Sequence, residues 1–154
     1  MKMVTAELAK RQQYFEALLK LRAKSPSAKM AMVEPARAFI GLTEFLEQGR
    51  AVEVGDYLVL YDFGPTWYSS KLHLIEELTI RFQRVYNNPV TDAIAALDDI
   101  ARHIGARAIA VGDTQIGLMT PYYLAAGYTP LGTQLFKEIK YGVPSEDHRS
   151  SGAD

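Results

Sequence analysis

The sequence predicts an α/β (α+β) domain: a mixed, mostly antiparallel central sheet with helices on both faces. Three observations predict it. Two segments with helical spacing of apolar residues come first, three strand-like runs then follow without an intervening helix, and the remainder alternates between helical and strand-like patterns. Strands that follow one another directly form an antiparallel meander, whereas a strand–helix–strand unit brings in parallel pairing.

Over 4–22, Val4, Leu8, Phe15, Leu18 and Leu19 fall at helical spacing with Lys and Arg between them, which predicts a first helix. The stretch "KSPSAK" reads as a loop. Pro35 suits the first position of a second helix, which Phe39, Ile40, Leu42, Phe45 and Leu46 carry to a stop at Gly49. In "AVEVGDYLVLYDFGPTW", two strand-like runs are divided by Gly55-Asp56 and ended by Gly64-Pro65. A longer strand is expected over 68–82, where Leu72, Leu74, Leu78, Ile80 and Phe82 share one parity and should face one way. Glu76 interrupts that face. Either its carboxylate enters the core side or a β-bulge near 75–77 shifts the register, and the bulge is the preferred reading.

The clearest helix covers 89–104, with Val90, Ala93, Ile94, Leu97, Ile100, Ala101 and Ile104 on one stripe. Asn88 can cap it, Pro89 suits its first position and Gly105 its C-terminal stop. "ARAIAV" then reads as a buried strand broken at Gly112-Asp113. A short helix opens at Thr120-Pro121 and ends at Gly127, and "LGTQLFKEI" is the last strand. One domain is expected over 1–140, with 141–154 a polar, mobile tail.

Composition narrows the function. With 154 residues, 48% hydrophobic and 23% charged, the chain suits one globular domain with a real core. A net charge of −1 argues against non-specific nucleic-acid binding or a membrane-surface role. The absence of cysteine excludes disulfides, thiolate metal sites and cysteine nucleophiles. "MKMVTAELAKRQQ" lacks an apolar signal core, and no apolar run approaches the ~20 residues of a spanning helix. A cytoplasmic protein is the expectation.

Few motifs carry chemistry by pattern alone. "GDTQIG" (112–117) has Leu118-Met119 where a phosphate loop requires Lys-Ser/Thr, so it reads as a turn. His73 and Glu76, three apart on a strand, point to opposite faces and would not share a metal, so no metal is expected. His103, near a helix end, reads as a dipole partner. "RFQRVYNNPV" (81–90) joins a strand to a helix N-terminus, where free amides favour anions, although a plain capped start explains it as well. In "YLAAGY" (123–128), Tyr123 and Tyr128 are either core rings of a helix ending at Gly127 or parts of a site. The aromatic-rich stretch 57–68 could serve as an interface.

Together, "IEELTIRFQRV", "ARHIGARAIAV" and "YYLAAGYTPLGTQLF" resemble the GNAT superfamily of N-acetyltransferases over residues 72–136. Tyr123, Gly127 and Tyr128 match that family's Tyr-x-x-x-Gly-Phe/Tyr motif. Arg84 matches the opening of its phosphate loop, Gln/Arg-x-x-Gly-x-Gly/Ala, but Asn87 and Pro89 replace the two small residues. Asn87 can keep a left-handed turn, while Pro89 removes a donor. The chain also resembles short GNAT-like proteins of tailed bacteriophages.

The resemblance implies acetyl-CoA as co-substrate and an amine-bearing acceptor: a small molecule, a protein or a modified base. It implies that Tyr123 protonates the departing sulfur and that the backbone of Leu78, Thr79 and Ile80 holds the pantetheine arm. Amides from Arg84 through Val85, Tyr86, Asn87 and Asn88 to Val90 would hold the pyrophosphate. Glu76, Glu77 and His73 are the base candidates, Glu77 slightly preferred because it should leave the apolar face. The resemblance leaves a homodimer open. The alternative is a GNAT-shaped binding or structural protein without turnover, which the altered phosphate loop favours.

Overall fold

The computed structural model describes residues 1–113, 118–132 and 134–142. The sheet has five strands in the order β1-β2-β3-β4-β5: Met3–Thr5, Ala51–Val54, Tyr57–Thr66, Ser69–Arg81 and Ala108–Ala110. Pairing is antiparallel from β1 to β4 and parallel between β4 and β5. Helices α1 (Arg11–Lys24), α2 (Ala28–Ala31) and α3 (Pro35–Glu47) come before β2; α4 (Val90–Ile104) joins β4 to β5, and α5 (Thr120–Ala125) follows.

Two cores sandwich the sheet. On one face Tyr14, Leu18, Leu42 and Leu46 of α1 and α3 pack on Leu58, Leu60, Ile80 and Phe82. On the other, Ile94, Leu97 and Ile100 of α4, with Tyr123 of α5, pack on Val52, Val54, Tyr57, Val59, Tyr61 and Leu74. β3 therefore alternates between two buried faces, which is why "YLVLY" is apolar at every position.

The expected bulge is present. Leu60 pairs with Leu78 but Tyr61 pairs with Glu76, leaving Glu77 as the extra residue. It also corrects the single apolar face expected for 72–82. Leu74 packs with α4, whereas Leu78, Ile80 and Phe82 pack with α1 and α3. An inserted residue reverses parity, so side chains of equal parity on its two sides face opposite ways.

Three other expectations change. The first helix does not begin at Val4: Met3–Thr5 is an edge strand on β2, a 3-10 turn covers Leu8–Lys10, and α1 starts at Arg11. Val4 and Leu8 are accordingly exposed. Helix α4 begins at Val90 with Pro89 in the cap position, because the Asn88 side chain is engaged elsewhere. "LGTQLFKEI" forms no strand among its described residues, and Leu131 and Leu135 are exposed. Strand-forming residues pair only where an edge meets them, and the edge of β5 is three residues long. The 143–154 portion of the tail lies outside the described residues, as does 114–117 of the "GDTQIG" turn. Asp113, at the start of that turn, caps α5. Its Oδ2 accepts from the amides of Met119 and Thr120, both at 2.8 Å.

Candidate functional site

Strands β4 and β5 pair only from His73↔Ala108 to Ile75↔Ala110. Beyond that point β4 continues to Arg81, and along Leu78, Thr79 and Ile80 its edge away from β3 carries no strand among the described residues. The bulge at Glu77 lies where the two strands part, leaving Glu76 and Thr79 on the α4 side with Tyr123.

These three side chains form a polar cluster inside an apolar layer. Burial pushes the Glu76 carboxyl up, while hydrogen bonding with the Thr79 hydroxyl, the Gly112 amide and the Tyr123 hydroxyl opposes that rise. Tyr123 is 4% exposed, with its ring in the core and edge-on to Tyr128 at 5.3 Å. Its hydroxyl interacts with Thr79 and Glu76. Burial, then the Glu76 charge, raises its pKa, so the phenol keeps its proton at neutral pH. Burial likewise pushes Tyr128 up to about 12, and its buried hydroxyl has no partner among the described residues. The structure thus gives the core reading of Tyr123: its ring is buried and its hydroxyl finds polar partners in Thr79 and Glu76.

Of the three base candidates, Glu76 is the one brought to Tyr123. Glu77 is exposed on the bulge. His73 is half-buried, its Nδ1 2.8 Å from the Lys71 carbonyl and its ring beside Tyr68, and it points to the opposite face from Leu74 and Glu76. In the aromatic stretch, Tyr57 and Tyr61 are buried in the α4 core, while Trp67 and Tyr68 are exposed at the hairpin end.

The segment expected to hold a pyrophosphate is already satisfied from within. Asp56, in the β2–β3 turn, is 0% exposed. Its Oδ1 accepts from the amides of Val85 and Tyr86 at 2.9 Å each, and its Oδ2 from that of Asn87 at 2.7 Å. Burial pushes this carboxyl up, but the hydrogen bonds from Tyr86, Val85 and Asn87 and the Arg81 charge outweigh it and hold the pKa below the ordinary value. The Arg81 guanidinium lies 3.8 Å from Oδ2 and donates to the Asn88 carbonyl and the Tyr57 hydroxyl. The buried Asn88 side chain accepts from the Asp56 amide at 2.8 Å and donates to the Val54 carbonyl at 3.0 Å. Asn87 takes φ 52, the left-handed turn expected of it. Arg84 is exposed and Val90 is half-buried at the start of α4.

Sequence reasoning missed Asp56, Arg81 and the Thr79 side chain. Gly55-Asp56 carries only a turn signal, and nothing local says that the carboxylate folds back under a loop about 30 residues away. Gly55 is part of this clasp: its φ is +62, and an added Cβ would lie 2.3 Å from Asn88 Oδ1. Gly55→Ala is expected to destabilise by roughly 2–5 kcal/mol through backbone strain and the displaced Asn88 bonds, measured by urea unfolding.

This architecture, with a bulged strand parting from its parallel neighbour beside a helix N-terminus, is the GNAT-like N-acetyltransferase fold. A solved structure described as a probable acetyltransferase superposes with a TM-score of 0.63 at 17% identity, covering 94% of this chain and all of the other. The aminoglycoside N-acetyltransferase AAC(6')-Iy, solved with CoA, gives 0.62 at 11% identity over 91% of this chain and 95% of its own. A transcriptional regulator from Bacillus halodurans gives 0.66 at 12% identity over 90% and 99%. No family profile and no curated protein matches the chain.

The two ends of acetyl-CoA fit this chain differently. The thioester end would meet a proton-bearing phenol, a carboxylate and a strand edge that carries no strand among the described residues. The diphosphate end does not fit, because three of the amides that would meet it already hold Asp56.

Proposed function

We propose that this protein is an N-acetyltransferase that moves an acetyl group from acetyl-CoA to a primary amine on a small molecule, a protein or a modified base. The supporting observation is the Glu76–Thr79–Tyr123 cluster at the point where β4 and β5 part. An amine with a pKa of ~10.4 is protonated at neutral pH and must lose a proton before attack. Glu76, whose pKa is raised by burial, is the group positioned to take it. Tyr123 holds a proton at Oη for the departing sulfur, and the edge at Leu78, Thr79 and Ile80, which carries no strand among the described residues, would line the pantetheine arm. Arg84, Asn88 and Val90 border the outer end of the donor site, and Glu77 and His73 stand outside the reacting centre.

The test is turnover: purified protein with acetyl-CoA and a panel of polyamines, aminoglycosides and lysine peptides, monitored for free thiol. Thiol release that requires both acetyl-CoA and an amine is expected. No release and no calorimetric heat at millimolar acetyl-CoA would remove the enzyme reading. A second reading, a GNAT-shaped binding protein without turnover, is favoured by the occupied amides at 85–87 and the burial of the Tyr123 ring.

A further inference from the structure

We infer that Asp56 is the resident anion of the loop at 84–88 and makes this site select its acyl donor by the pantetheine arm, without a grip on the diphosphate. The donor half of this inference rests on the function proposed above; the Asp56 half stands on geometry alone.

Three consecutive amides converge on one carboxylate that is closed to solvent. A pyrophosphate oxygen that sought those amides would have to take the position of Asp56 or face it as a second anion in a dry site, and both are unfavourable. The turn that carries the carboxylate is itself held: Gly55 lies against Asn88, and the Asp56 carbonyl accepts from the Phe82 amide at 2.9 Å. Gln83 Nε2 also donates to the Gly55 carbonyl at 3.2 Å. Releasing the cradle means breaking three amide bonds to a carboxylate closed to solvent and leaving those amides without their acceptor, so the exclusion is built in rather than gated. Pro89, next along, contributes no amide hydrogen. With the amides of 85–87 taken, a donor meets chiefly the β4 edge at 78–80, which carries no strand among the described residues, and the cluster around Tyr123, features that meet the thioester and its arm.

Two measurements test this. Inorganic pyrophosphate and sulfate are titrated into the wild-type protein, followed by thermal shift and by the amide resonances of Val85, Tyr86 and Asn87. No stabilisation and no movement of those resonances is expected, whereas Asp56→Ala should gain several degrees at about 100 times the dissociation constant of pyrophosphate. Should Asp56→Ala not fold, the wild-type titration decides by itself. Movement of the three resonances with pyrophosphate would overturn the assignment. The second measurement compares acetyl-CoA with S-acetylpantetheine as donors. Their kcat/KM values should lie within about tenfold of each other, because no remote diphosphate binding is available to accelerate the larger donor. A preference for acetyl-CoA of about 10³ or more would overturn the donor half. Consumption of neither thioester would overturn it too, together with the acetyltransferase reading, while the pyrophosphate titration would still decide the role of Asp56.

Discussion

Tyr123→Phe is expected to lower the kcat of the proposed transfer by about 10², the low end of what a positioned acid contributes, and to leave KM for the donor within about threefold. The choice of the low end follows from acidities. A thiol titrates near ~8.5 and tyrosine near ~10, so full proton transfer to the departing sulfur is uphill by about 2 kcal/mol at 1.36 kcal/mol per unit. Burial, with the Glu76 charge, raises the phenol further. In the proposed reaction Tyr123 would therefore act chiefly by hydrogen-bonding to sulfur as negative charge builds there, an interaction stronger in the transition state than in the bound donor.

The same substitution carries a second readout that a purely structural role would not move. Hydrogen bonding with the Tyr123 hydroxyl is one of the influences that hold the Glu76 pKa down against burial. Removing that hydroxyl pushes the carboxyl higher, so the acidic limb of kcat/KM, which requires ionised Glu76, shifts to higher pH. The ring remains in the core, and the melting temperature changes little. An unchanged limb, or a loss confined to KM, takes Tyr123 and Glu76 out of a shared site.

Glu76 also has a cost in stability. A carboxyl whose folded pKa is raised favours the protonated fold, so its contribution is fully present below ~4.3 and is lost as pH rises through the folded value. Glu76→Gln is accordingly expected to raise the melting temperature at pH 7–8 relative to its effect at pH 4 while abolishing turnover. A chain that keeps a destabilising carboxylate beside a buried phenol is better explained by chemistry than by packing.

Much of this was legible in the chain. The stripe from Val90 to Ile104 specified α4, and the two strand-like runs divided by Gly55-Asp56 are β2 and β3. Glu76, an acid in an apolar parity, pointed to the bulge, but the extra residue is Glu77, and Glu76 stays on the core side with Leu74, so the other alternative holds as well. What could not be read depends on partners distant in sequence. Met3–Thr5 is a strand only because β2 offers it an edge, and three residues carry too little periodicity to say so. The apolar residues of 131–139 carry a strand pattern that pairing does not fulfil. Asp56 shows the limit most clearly. A turn aspartate has the same local signature whether it faces water or holds three amides of a distant loop, so the part of the site copied from the phosphate-loop pattern is the part that geometry redirects.

Replacement of Tyr14 by alanine should cost about 3–5 kcal/mol in urea unfolding, a large share of the roughly 5–15 kcal/mol available to a domain. Tyr14 is 0% exposed and its ring meets Phe82 edge-on at 5.1 Å, tying α1 to the last turn of β4 before the loop. Its hydroxyl donates to Glu53 and accepts from the Glu7 amide, and Glu53, itself 7% exposed, is otherwise paired with Lys10 at 3.1 Å. Tyr14→Phe separates the two contributions. It keeps the packing but takes one hydrogen-bond donor from a buried carboxylate that Lys10 still pairs and the acceptor from the Glu7 amide, which predicts a loss of about 1–3 kcal/mol. Burial and the Glu53 hydrogen bond raise the phenol above its ordinary ~10, so its contribution is complete below that pH and declines above it; the wild type should lose stability above ~10 more steeply than Tyr14→Phe. Equal alkaline slopes in the two proteins would place the strength of this contact in packing alone. The expected difference would instead make the Tyr14–Glu53–Lys10 chain the polar counterpart, on the α1 face, of the cluster that Glu76 and Tyr123 form on the other.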